Sequence, residues 1–171
     1  MIGLLTPAVV GSLLLAILST VADYVWFLNI PKHQVTSGAI HGAALFAALG
    51  AYLGWRKGQL GAGALGGLLS GTAAALSFYA LAPFGGYNVM LVSWLILWIL
   101  LAALQTYLDG RLDIARAIGR GIVTAIVAAV GFGVVLFQLY RGWPPETFPV
   151  FKHLIAWSMA YLPGLYVLLK R

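Results

Sequence analysis

A helical bundle embedded in a membrane is the fold class this sequence predicts, and three observations predict it. Of the 171 residues 62% are hydrophobic, only 8% are charged, and the apolar residues gather into six long stretches. A helix crossing the hydrocarbon core needs about 20 mostly apolar residues. A soluble domain carries roughly a quarter charged residues, so this chain lacks the charge to cover a water-facing surface, and its mean hydropathy of +0.97 agrees. The six stretches are apolar all round, without the alternation a membrane β-barrel needs. Backbone polar groups have no water to bond in lipid, so each stretch is expected to be helical.

In order, the first segment runs from about Pro7 to Ile30, with Pro7 in a first-turn position and Pro31 as the stop. The second covers roughly Thr36 to Trp55, and the third Gly61 to Ala82, closed by Pro83. The fourth runs from about Asn88 to Leu108, the fifth from Gly121 to Tyr140, and the sixth from Pro149 to Leu169. Pro163-Gly164 falls inside the sixth and is expected to kink or break it. Between the fourth and fifth, Arg111, Asp113 and Arg116 beside Leu112, Ile114, Ala117 and Ile118 predict a short amphipathic turn on the inner membrane surface. No internal repeat or long linker divides the chain, so residues 1–171 read as one transmembrane domain of three hairpins.

The loops set orientation. On the side of the N-terminus lie Arg56, Lys57, Arg111, Arg116, Arg120, Lys170 and Arg171, and on the other Lys32, Arg141 and Lys152. Seven basic residues against three place both termini in the cytoplasm. The same clustering between apolar stretches explains the net charge of +6 as a topology signal, not a nucleic-acid surface. The N-terminus has no basic region ahead of its apolar run, which is too long for a secretory signal, so the first segment is expected to stay as an anchor. The expected location is a bacterial inner membrane. With no cysteine, thiolate metal sites and thiol redox chemistry are excluded.

Gly63, Gly67, Gly71 and Ala75 place small residues every four positions on the third helix, a doubled GxxxG face; Gly50 and Gly54 repeat the spacing on the second. Such faces let helices approach closely enough for van der Waals contact to drive association. Within one chain they hold a bundle together; between chains they would serve a second copy or a partner membrane subunit. Trp26, Trp55 and Trp143 fall near interfaces as anchors, while Trp94 and Trp98 form an aromatic stripe deep in the fourth helix.

Ionisable residues inside a membrane are costly, and each is a functional hypothesis. The predicted topology gathers Asp23, His33, His41, Glu146 and His153 near the outer face, with Asn29, Gln34, Tyr87 and Asn88 in the same layer. Three chemistries fit. One is a pocket for a small solute or ion, with Asp23, His41 and His153 as polar core, Trp26, Tyr87 and Trp157 as walls and Asn88 at its edge. Another is a metal centre from His33, His41, His153 and Asp23, or a b-type haem with His41 and His153 as axial ligands. The last is proton-linked, since an Asp–His pair changes charge near neutral pH. The spacing matches no metal signature, and no HExxH, phosphate loop or serine elbow occurs.

Six helices, inward termini and a glycine-rich third helix resemble, in architecture alone, the substrate-binding subunits of energy-coupling-factor vitamin transporters. The resemblance implies a solute-binding role and transfers no residue. The sequence thus leads to a small polytopic protein that binds a small solute or ion at its outer face, with transport as the extension. A metal- or haem-dependent membrane protein and an assembly subunit are the alternatives.

Overall fold

A computed structural model describes residues 2–29, 34–111, 113–139 and 149–170, with backbone only at 2–4, 26, 29, 34, 87 and 136–139. Among the described residues there are six long helices and no strand: α1 (Ile2–Asn29), α2 (Gln34–Trp55), α3 (Leu60–Gly85), α4 (Met90–Leu108), α5 (Ile114–Leu139) and α6 (Val150–Leu169). The protein is a helical membrane bundle. Five helices are long and apolar enough to cross a membrane by themselves, with mean hydropathies of 1.3 to 2.0 over Leu5–Val25, Val35–Trp55, Leu60–Gly85, Met90–Leu108 and Ile114–Val135. The sixth, α6, is 20 residues long and carries Lys152 and His153 in its first turn. Large apolar side chains such as Leu14, Leu65 and Val130 point outward from the bundle, as lipid contact requires.

Each helix packs antiparallel on its neighbours in the chain, and α6 returns to α1 to close a ring. The ring is sealed in two ways. Between α2 and α3 the backbones nearly touch: a Cβ on Gly50 would fall 2.7 Å from Gly67 Cα, and one on Gly63 would fall 2.7 Å from Gly54 Cα. The third helix's glycine face is therefore occupied by α2 of the same chain. Between α1 and α6 the seal is made by side chains, described below. In the middle, Trp98 and Leu101 of α4 are fully buried with Leu49 and Leu53 of α2 and Leu165 and Leu168 of α6. Near the termini Lys57, in the α2–α3 turn, pairs with Asp109 after α4, and Gln59 Nε2 donates to the Leu108 carbonyl over 3.2 Å.

Helix α1 starts at Ile2, five residues before Pro7, so the proline lies inside the helix and not in its first turn. Three further expectations differ, each for a local reason. Helix α3 passes through Pro83 to Gly85, where the chain turns at Gly86 with φ +58 before a short 3₁₀ turn leads into α4. The turn expected to lie on the membrane surface is instead the start of α5. Asp113 Oδ1 accepts from Arg116 N at 2.9 Å and its carbonyl from Ala117 N at 3.0 Å, which starts the helix at Ile114, seven residues before Gly121. Pro163-Gly164 does not break α6, which is helical over Val150–Leu169. Proline removes the donor for the Met159 carbonyl, but Gly131 of α5 lies against that oxygen, so neighbouring backbone covers it. Gly164 in turn seats the Trp98 ring: a Cβ there would fall 3.0 Å from the ring's far edge.

Candidate functional site

Asp23 lies six residues before the end of α1, roughly 9 Å or two turns along the helix. His41 is seven residues into α2 and His153 and Trp157 are in the first two turns of α6. Antiparallel packing brings all four to one level. His153 Nδ1 lies 2.8 Å from Asp23 Oδ2, Trp157 Nε1 donates to that same oxygen over 2.6 Å, and His41 Nε2 lies 3.3 Å from Oδ1. The three ionisable side chains are neither open nor sealed: Asp23 retains 16% of its exposure, His153 18% and His41 23%. An ionised carboxylate only accepts, so at these contacts His153 presents Nδ1–H and His41 presents Nε2–H. The single carboxylate thereby joins three helices, α1, α2 and α6.

The network continues toward the bundle centre. Ser19, one turn before Asp23, bonds the Tyr161 hydroxyl at 2.9 Å, and Tyr161 lies one turn beyond Trp157. The rings of Trp157 and Tyr161 stack at 5.4 Å and 19°. Trp157 also stacks on Trp94 at 6.0 Å and meets Phe132 of α5 at 4.7 Å. Trp94 in turn meets Trp98 edge-on at 6.0 Å. The tryptophan stripe of α4 therefore packs inward against α6. Trp94, Phe132 and Tyr161 thus flank the Trp157 ring whose N–H meets Asp23. The indole N–H groups of Trp94 and Trp98 are buried without a partner among the described residues.

Of the residues expected at this site, Asp23, His41, His153 and Trp157 come together. Asn88 sits exposed in the 3₁₀ turn before α4, and no described contact joins it to the cluster. The side chains of Trp26 and Tyr87 fall outside the described residues, as do His33, Glu146 and the loop bases Lys32 and Arg141. Among the described residues no group of three His, Cys, Asp or Glu is arranged to hold a metal ion. The carboxylate stands between the imidazoles and its oxygens accept their N–H groups, whereas metal ligation needs imidazole lone pairs converging on one point.

Ser19, Trp94, Phe132 and Tyr161 carry no charge that would mark them in the sequence. The signal for Ser19 and Tyr161 is spacing: Ser19 is four before Asp23, and Tyr161 is four after Trp157, so each shares its partner's helix face, while Trp94 is marked by its stripe with Trp98 and Phe132 by nothing.

No family model, no curated protein and no solved structure matches this chain. The resemblance to vitamin-transporter binding subunits accordingly rests on helix count, terminus placement and the glycine-rich third helix alone.

Proposed function

We propose that this protein binds a small solute or ion near the outer face of the membrane, and that the first ion it takes up is a proton, held by the Asp23–His41–His153 cluster. One observation carries the reading: a single partly exposed carboxylate receives donors from two helices other than its own. A proton arriving on Asp23 removes the charge that strengthens its bonds to His41, His153 and Trp157. The strength of the contacts that bind α1 to α2 and α6 at this level thus depends on the protonation state. Intramembrane Asp–His groupings at helix interfaces are the usual parts of proton relays and proton-linked carriers. The loop charges support placing the cluster near the outer face, with Arg56, Lys57, Arg111, Arg116, Arg120 and Lys170 at the opposite end. The antiparallel run of α6 along α1, from His153 beside Asp23 to Leu168 beyond Tyr161, supports a sixth crossing.

The direct test is infrared difference spectroscopy of the protein in lipid discs as the pH is stepped. The expected result is a carboxyl band lost in Asp23→Asn and shifted in His153→Gln. A spectrum that is the same in Asp23→Asn as in the unmodified protein would overturn the reading.

A further inference from the structure

We propose that the groove between α1 and α2, at the end of the bundle carrying both termini, is a binding site for an anionic phospholipid, with its phosphate on Arg56 and one acyl chain along Val10, Tyr52 and Trp55. The groove has a volume of about 550 Å³ and is lined by Thr6, Pro7 and Val10 of α1 and by Tyr52, Trp55 and Arg56 at the end of α2. It exists because α1 packs far more extensively on α6 than on α2. A tyrosine of α2 spans the gap. Tyr52 lays its ring against Gly11, where a Cβ would fall 2.7 Å from it, and donates its hydroxyl to the Pro7 carbonyl. The ring lines the groove between Pro7 and Trp55.

The chemistry around this ring is that of an amphiphile's two halves. Trp55 is 68% exposed and Val10 48%, giving apolar walls that open sideways, toward lipid. At the rim stands Arg56, and among the described residues no carboxylate lies within ion-pair distance of it. The two carboxylates at this end are engaged elsewhere: Asp109 with Lys57, and Asp113 with the start of α5. A guanidinium presents a planar fork of donors that matches phosphate. An interfacial tryptophan next to it is the position where a headgroup meets its chains. The first turn of α1 adds the positive end of a helix dipole on the same side. Basic pockets between helices on the cytoplasmic side favour anionic headgroups, which commits the site to a phospholipid of that charge. The inference is independent of the Asp23 cluster, which lies near the opposite end of α1.

The test is native mass spectrometry of the whole protein released from lipid discs containing equal phosphatidylglycerol and phosphatidylcholine. Retained phosphatidylglycerol should exceed phosphatidylcholine by about tenfold. Arg56→Gln should abolish that preference, while Arg111→Gln, in the loop between α4 and α5, should keep it. Trp55→Ala should lower retention of both lipids together. Added inorganic phosphate should not displace the lipid if the acyl chain contributes, and displacement by phosphate alone would mean a headgroup-only site and overturn the proposal. Equal retention of both lipids, or an unchanged preference in Arg56→Gln that still unfolds at the normal temperature, would also overturn it.

Discussion

The α2–α3 seam and the α1–α6 seam solve the same packing problem with opposite means. Along the first, Gly42, Gly50, Gly54, Gly63, Gly67 and Gly71 let two backbones meet, and almost nothing there can change its charge. Along the second, Asp23, Ser19, His153, Trp157 and Tyr161 meet through hydrogen bonds and stacked rings. In a bilayer neither seam gains from a hydrophobic effect between helices, so close van der Waals contact or polar bonds must do the joining. The glycine seam depends on shape alone and is indifferent to pH. The polar seam contains ionisable groups, Asp23 and His153. On the proposed reading the glycine-packed pair stays fixed and the polar pair responds to the proton.

The sharpest way to break the comparison is at the rigid seam. Gly50→Leu puts a side chain where the backbone of Gly63 and Gly67 already stands. Overfilling a packed interface usually costs about 1–3 kcal/mol; with backbone on the far side the cost should reach the top of that range, about 3 kcal/mol. Unfolding in mixed micelles should show that loss, equal at pH 5 and pH 8.

Asp23→Asn comes next. It keeps one acceptor but removes the charge that His41, His153 and Trp157 share. Hydrogen bonds to charged groups contribute about 1.5–3 kcal/mol in water-soluble proteins, and measured values between membrane helices average nearer 0.6. A loss of about 1–2 kcal/mol is expected, from the same unfolding assay. Trp157→Phe should cost about 1 kcal/mol, since it preserves the stacking on Trp94 and Tyr161 and deletes one donor.

The pH response sharpens the contrast further. The contacts to Asp23 are charge-assisted, so they are strongest with its carboxylate ionised at high pH and weaken as acid protonates it. Tryptophan fluorescence should therefore change on acidification in the unmodified protein. In Asp23→Asn the change should vanish, and in Gly50→Ala it should persist. Smallest of all is Ser77→Ala. Its hydroxyl bonds Ser93 across α3–α4 at 3.0 Å but also its own helix's Ala74 carbonyl at 2.7 Å, so a loss within about 0.6 kcal/mol is expected.

Much of the architecture is legible in composition and spacing, because in lipid the length and apolarity of a segment nearly dictate a helix. Boundaries are less so. Pro83 looks like a stop and Asp109 to Arg120 like a surface loop, yet α3 continues two residues past the proline and α5 starts at Ile114. A proline costs one backbone hydrogen bond, which neighbours can offset, and a helix start is decided by a cap such as Asp113, whose effect depends on where the chain is held.

The sequence by itself determined a membrane bundle of six helices, the antiparallel order that short loops allow, and an ionisable layer containing Asp23, His41 and His153. Only the tertiary structure decided that the glycine face of α3 is filled by α2, that Trp94 turns inward onto Trp157, and that one carboxylate oxygen takes both His153 and Trp157. The physical reason is rotational. Hydropathy fixes how deep a residue sits in the bilayer, but an all-apolar helix carries no strong moment to fix which way it faces. That angle is set by fit against the neighbouring helices.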